Sequence, residues 1–116
     1  IEDRAAPPAR QSAGSVHHVA FAVPDRAAQD EVQRGIEEAG LRPTPSIDRD
    51  YFRAIYFRTP GGVLFEVATD EPGFARDEAP EALGTALRLP RQHAHLRPSL
   101  IGALEPLPGV AMEAAA

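Results

Sequence analysis

A pair of adjacent histidines, His17 and His18, and a glutamate at position 66 carry the side chains of this sequence best suited to chemistry. Glu66 stands in the apolar run VLFEVA, where an unpaired carboxylate would be costly to remove from water. We therefore expect it to be paired with a cation or a metal ion, and His18 is the best candidate for a second ligand. The structural alternative is a buried ion pair between Glu66 and a nearby arginine, such as Arg49, Arg53 or Arg58.

Three predicted strands carry these polar groups. The run VHHVAFAV, residues 16–23, is β-branched and aromatic and stops at Pro24. Its alternation places His18 on a face of small alanines and assigns the other face to the core through Val19, Phe21 and Val23. The runs YFRAIYFR (51–58) and VLFEVA (63–68) are joined by Pro-Gly-Gly, which is typical of a hairpin. Tyr56 then lies on one face and Ile55 and Phe57 on the other.

A helix is predicted between the first strand and the hairpin. Asp25 is a suitable N-cap and Gly40 a suitable stop, and apolar residues recur at helical spacing between them, at Ala28, Val32, Ile36 and Ala39. The segment LRPTPSI (41–47) carries two prolines, which favours a short edge strand or an extended segment. The fold class is thus α+β, with one βαβββ module over residues 15–70. Its helix covers one face of the sheet and leaves His18, Tyr56 and Glu66 on the other.

The ends of the chain differ from this module. Residues 1–14 are rich in Ala, Pro and Arg, which predicts a linker or arm. Residues 71–116 predict a partly helical C-terminal extension that packs on the module or on its partner, with a short helix over 78–87 and a helical turn over 99–104. His93 and His95 have metal-like spacing there, but they lie in a proline-bounded loop, which favours a structural interpretation.

Composition narrows the class of protein. The 116 residues carry a net charge of -5, which argues against a nucleic acid or an anionic membrane as the main partner. Cysteine is absent, so histidines and carboxylates must provide any metal ligands. The chain has neither a long apolar segment nor a signal-peptide pattern, from which we expect a cytoplasmic location. It begins with Ile1 rather than Met, so a piece of a longer protein is one expectation.

The ordered motifs GSVHHVAF, DRDYFRAIYFR and GGVLFEVATDEPGF resemble the glyoxalase/bleomycin resistance/dioxygenase superfamily, also called vicinal oxygen chelate proteins. Within it they are most similar to ring-cleaving dioxygenases that act on hydroquinones, of which this chain would be the last module and tail. The resemblance implies that His18 and Glu66 bind a metal, most simply Fe(II), with Mn, Ni or Zn as alternatives. It also implies that residues matching His17, Arg49 and Tyr56 bind substrate or move protons.

The resemblance further implies a small aromatic diol and O2 as reactants. Two ligands hold a catalytic metal weakly, so a third must come from a second copy in a homodimer or from a sister module. Two alternative functions remain at this point: a metal-free ligand-binding protein of the bleomycin-resistance type, and a glyoxalase-like lyase or isomerase. An inactive fragment with a structural role is a third possibility.

Overall fold

Four strands and one long helix occur in the predicted order. The computed structural model describes residues 12–112, and its βαβββ unit consists of β1 (Val19–Val23), α1 (Arg26–Glu38), β2 (Ile47–Asp48), β3 (Arg53–Arg58) and β4 (Leu64–Thr69). The strands form one sheet in the order β1-β4-β3-β2. The α+β class is confirmed. No helix among these residues is long and apolar enough to cross a membrane.

The pairing of the strands follows from their connections. β1 lies parallel to β4, which requires the crossover that α1 provides, whereas β3 and β4 are antiparallel and need only a short turn. At that turn the amide of Thr59 donates to the carbonyl of Val63 at 3.0 Å. Gly62 adopts a φ of 84°, a conformation that glycine tolerates best, so the predicted Pro-Gly-Gly hairpin is confirmed.

Both ends of α1 have the predicted capping residues. The Asp25 carboxylate accepts a hydrogen bond from the amide of Ala28 at 2.9 Å. At the other end Gly40 has a φ of 78°, and the amide of Leu41 donates to the carbonyl of Ile36 at 3.1 Å. These contacts form the Schellman arrangement, which satisfies the last carbonyls of a helix.

The core lies between α1 and one face of the sheet. Its buried members come from the helix and the two central strands, namely Ile36, Ile55 and Val67, and partly buried apolar residues pack around them. One polar side chain, Gln29, is fully buried in the same layer. Its amide nitrogen donates to the carbonyls of Arg53 and Val67, both at 2.9 Å. The helix is therefore attached to β3 and β4 by hydrogen bonds as well as by apolar contact.

One predicted part of the core is wrong. Val19 and Phe21 are 41% and 49% exposed, although the ring of Phe21 packs edge-on against Phe65 at 5.1 Å between centroids. Of that predicted set, Val23 is packed against the core. The physical reason is that β1 is an edge strand and a single helix is too narrow to cover all four strands.

Strand boundaries also differ from the predictions. β1 begins at Val19, so His17 and His18 precede it. Only Ile47 of the segment 41–47 belongs to a strand, and the central hairpin strand begins at Arg53 rather than at Tyr51. The predicted turn at 48–50 forms because the carboxylate of Asp48 accepts from the amide of Asp50 at 2.8 Å. Most of the predicted arm, residues 1–11, lies outside the described residues.

The extension contains short helical segments. The helix predicted over 78–87 is wrong, because that region forms only the 3-10 turn Pro80–Ala82, and Gly84 follows with a φ of 80°. Further 3-10 segments span Phe74–Arg76 and Arg91–Leu96. The predicted last helical turn is present as α2, Arg97–Ala103.

A buried carboxylate, Asp50, connects the extension to the module. It is 3% exposed and has a φ of 73°, which is unusual for a residue other than glycine. It accepts hydrogen bonds from the Arg91 amide and from Arg91 Nε, both at 2.7 Å, and from Arg76. The Arg76 guanidinium also donates to the Asp50 carbonyl at 2.7 Å. These charge-assisted contacts hold residues 76 and 91 against the turn between β2 and β3.

Candidate functional site

Glu66 is the buried centre of the candidate site. It lies in the middle of β4 and is 4% exposed. Ala20 on one neighbouring strand and Tyr56 on the other are its register partners, so all three side chains share the face opposite α1. The Tyr56 hydroxyl donates to Glu66 Oε1 at 2.8 Å. The alternative of a buried ion pair between Glu66 and one of these arginines does not occur, since Arg53 contacts Ser46 and Arg58 contacts the Gly62 carbonyl.

The two predicted metal ligands meet. His18 Nε2 lies 2.8 Å from Glu66 Oε2, and the His18 side chain is 36% exposed while that of Glu66 is 6% exposed. His18 therefore approaches the carboxylate from the open side of the site. The sequence-based expectation that these groups share a face agrees with this contact.

His17 contacts the other side of the His18 ring. The two Nδ1 atoms are 2.8 Å apart, and the ring planes are nearly perpendicular at 88°. Strand alternation alone predicted that His17 points away, but both histidines precede β1, so the alternation of the strand does not govern them. If His18 keeps its proton on Nδ1, that proton is donated to His17, and the lone pair of His18 Nε2 is free for a metal.

This donor set fits a metal ion in part. Two ligands that bind one ion at about 2.1 Å and at right angles lie roughly 3 Å apart, close to the separation of His18 Nε2 and Glu66 Oε2. An imidazole and a carboxylate suit Zn, Fe, Mn or Ni. Among residues 12–112, however, no group of three or more His, Cys, Asp or Glu side chains could hold a metal. A complete metal site would require at least one ligand from outside this part of the chain.

Tyr56 and Arg49 extend the site beyond the ligand pair. Arg49 Nη2 donates to the Tyr56 hydroxyl at 3.3 Å, and its guanidinium carbon lies 5.5 Å from the centre of the phenol ring. Burial and the hydrogen bond to Glu66 raise the pKa of the Tyr56 phenol, while Arg49 acts in the opposite direction. Tyr56 is therefore a protonated phenol at neutral pH, placed between a carboxylate and a cation.

A hollow of about 350 Å³ opens beside Glu66. Small side chains from β1 and β4, Ala20 and Ala68, form its floor, and aromatic residues lie around it, namely Tyr51, Phe52 and Phe74. This size and lining suit a small flat ligand. Phe74 was not among the predicted site residues. It reaches the hollow because its ring stacks on Tyr51 with 5.3 Å between centroids, a long-range contact that the sequence does not reveal.

The second histidine pair lies elsewhere. His93 and His95 belong to the 3-10 segment Arg91–Leu96 of the extension, and both are exposed. Neither lies among the residues around Glu66. The geometry therefore favours a structural role for this pair over a role in metal binding.

Residues 2–67 match the family model described as the Glyoxalase/Bleomycin resistance protein/Dioxygenase superfamily. This match covers more than half of the chain. The chain belongs to this superfamily. The sequence motifs that resemble the superfamily lie mainly in the βαβββ module, which has a polar face opposite the helix.

Individual members of the superfamily extend the comparison. The chain is 42% identical over 107 residues to "Putative ring-cleaving dioxygenase MhqA" of Bacillus subtilis (strain 168), which covers 92% of this chain and 34% of that protein. It is 43% identical over 91 residues to the chlorohydroquinone/hydroquinone 1,2-dioxygenase of Sphingobium indicum, covering 76% of this chain and 27% of the relative.

A solved structure agrees with these relatives. The crystal structure of a protein from Bacillus subtilis subsp. subtilis str. 168, described as a putative dioxygenase, superposes with a TM-score of 0.74 at 47% identity. The superposition covers 80% of this chain and 30% of the other. The chain thus spans about a third or less of the superfamily members that it matches here.

Proposed function

We propose that this chain is the metal-binding module of a ring-cleaving dioxygenase that acts on an aromatic diol with O2. The observation that carries the proposal is the contact of His18 Nε2 with Glu66 Oε2 at 2.8 Å, beside a hollow with aromatic walls. Relatives at 42% and 43% identity are named as ring-cleaving and hydroquinone dioxygenases, which supports the reaction class.

His18 and Glu66 would hold the metal, and Fe(II) is the ion that two histidines and one carboxylate suit best in oxygen chemistry. Bound Fe(II) supplies a redox-active Lewis acid to which the reactants can be brought side by side. The missing third ligand would come from a sister module or from a second copy of this chain. A sister module is favoured because the matched relatives are about three to four times as long as the part they share with this chain.

The surrounding residues would orient the diol and handle its protons. The Tyr56 hydroxyl donates its single proton to Glu66 Oε1 at 2.8 Å, and it would turn this hydrogen bond from the carboxylate to a developing oxyanion on the substrate. Burial favours the protonated form of the phenol until then. Arg49, 3.3 Å from the same hydroxyl, stabilises that negative charge. His17 fixes the orientation of the His18 ring through their 2.8 Å contact. The aromatic residues of the hollow would stack against the ring of the diol.

The test is a reaction under labelled oxygen. The chain is assembled with the partner module, loaded anaerobically with Fe(II), and mixed with hydroquinone or chlorohydroquinone and ¹⁸O2. We expect a ring-opened product that carries both labelled atoms, and its absence from the matched Glu66→Gln assembly. Hydroquinones also consume O2 by simple oxidation to quinones, so oxygen uptake alone is not sufficient. An intact ring, with metal and partner module both bound, would overturn the proposal.

A further inference from the structure

We propose that Asp50, held by Arg76 and Arg91 of the C-terminal extension, is a positioning residue that keeps Arg49 on Tyr56. This inference deepens the proposed function by giving the extension a role in the same site. It concerns the coupling between a segment outside the βαβββ module and a side chain inside the candidate site.

The turn between β2 and β3 has two sides with different contacts. On one side Arg49 points to the site, where its guanidinium reaches the Tyr56 hydroxyl at 3.3 Å. On the other side the Asp50 carboxylate is buried and is held by the amide and Nε of Arg91. Because the two residues are adjacent, a change in the backbone at Asp50 changes the position and direction of the Arg49 Cα–Cβ bond.

The backbone at Asp50 needs this support. Its φ of 73° lies in the left-handed region, which is unfavourable for residues other than glycine, although Asp adopts it more readily than most. Four hydrogen bonds from the extension converge on this one residue, three on its carboxylate and one on its carbonyl. Removing the two side-chain charges would leave the buried carboxylate with the Arg91 amide as its remaining donor from the extension and with no opposite charge, which favours opening of the turn to hydrate it.

Arg49 has little else to fix it. Its side chain is exposed, and its amide donates to the Phe52 carbonyl at 2.9 Å, which again fixes the turn rather than the guanidinium. A long exposed side chain samples many rotamers, so its contact with Tyr56 depends on where the turn places its Cα. Tyr51, the residue after Asp50, connects the turn to the extension a second time. The Gly73 amide donates to the Tyr51 carbonyl at 2.8 Å, and the rings of Tyr51 and Phe74 stack.

The experiment compares the pair of cations that holds Asp50 with a single cation elsewhere on the extension. R76Q/R91Q removes the side-chain charges on Asp50, and R88Q is the control, because Arg88 pairs at 3.4 Å with Glu78, whose side chain is 8% exposed, and does not contact Asp50. The readout is the nuclear Overhauser contact between the Arg49 side chain and the Tyr56 ring, which is assigned with the help of Tyr51→Phe because the chain has only two tyrosines.

We expect the Arg49–Tyr56 contact to be lost in R76Q/R91Q and kept in R88Q, with partial recovery in R76K/R91K. If the double variant does not fold, Asp50→Asn is measured in its place; it removes the charge that attracts both arginines, and the same loss is expected. A contact that persists in a folded variant, or that is lost equally in R88Q, would overturn the inference.

A kinetic cycle separates positioning from general damage. In the assembled enzyme, R91Q should lower kcat about tenfold and have almost no further effect when Arg49→Gln is already present. Equal effects in both backgrounds would contradict the inference. If the wild-type assembly shows no ring cleavage while the Arg49–Tyr56 contact is still lost in R76Q/R91Q, the positioning role stands and the proposed function fails.

Discussion

Tyr56 and Glu66 face each other across the two central strands, and the phenol donates to the carboxylate at 2.8 Å. This pairing leaves Glu66 Oε2 directed to His18, so each oxygen of the carboxylate has a different partner. One oxygen is occupied by a neutral donor and the other is available to a cation. The same carboxylate can therefore bind an ion and orient a proton donor.

Metal affinity should depend strongly on His18 and less strongly on His17. His18→Ala removes a proposed ligand, whereas His17→Ala removes only the partner of its ring, and loss of such a partner typically weakens metal binding by about 10–100-fold. The measurement is calorimetric titration of Fe(II) or Zn(II) into the assembled protein under anaerobic conditions. His93→Ala, in the exposed segment of the extension, is the matched control and should bind as the wild type does. Equal affinities for wild type and His18→Ala would contradict the assignment.

Tyr56→Phe should slow the reaction and leave the fold nearly unchanged. It removes the hydroxyl that links Glu66 to Arg49 while keeping the ring under the guanidinium. General acid catalysis of this kind contributes about 10²–10⁴-fold, and we expect kcat to fall by roughly the lower figure with metal content unchanged. Steady-state rates and metal analysis of the same samples provide the test. A normal kcat would remove Tyr56 from the mechanism.

Gln29→Ala should cost more stability than any other polar truncation on α1. It leaves the carbonyls of Arg53 and Val67 without this donor and opens a cavity where the side chain was fully buried. We expect a loss of about 3 kcal/mol in the free energy of unfolding. Gln33→Ala is the control, since Gln33 makes one longer hydrogen bond, at 3.3 Å to the Thr44 carbonyl, and should cost about 1 kcal/mol. Urea denaturation measures the loss of stability in both variants. Similar losses would contradict the role of Gln29 in attaching α1 to the sheet.

Stability should fall between pH 10 and pH 12 because of Tyr51. Burial, together with the nearby carboxylate of Asp77, raises the pKa of this phenol from 10.0 to about 12. The stabilisation of the fold by the protonated Tyr51 phenol is complete below pH 10. It is lost as the pH rises toward the folded-state pKa, because the phenol ionises first in the unfolded chain. Denaturation at pH 9 and pH 11 should show a smaller decline for Tyr51→Phe than for the wild type. A decline of the same size in both proteins would exclude Tyr51 as its cause.

Local sequence patterns predicted the module well. Proline and glycine mark the ends of α1 and the hairpin, and period-two alternation places Tyr56 and Glu66 on one face, because these signals act over a few residues. The exposure of Phe21 and the burial of Gln29 depend on how far one helix extends over the sheet, which no local pattern encodes. The contact of Asp50 with Arg91 joins distant segments and could not be predicted from either one.

The parallel pairing of β1 with β4 has a consequence for assembly of the fold. The histidine that precedes the first strand meets the carboxylate of the last strand only after the helix and the hairpin between them are in place. An ion bound to both would act as a cross-link that closes the whole module, so part of its binding energy would appear as resistance to unfolding. Comparing the midpoint of thermal unfolding with and without metal would then show whether the two residues bind an ion, before any substrate is added.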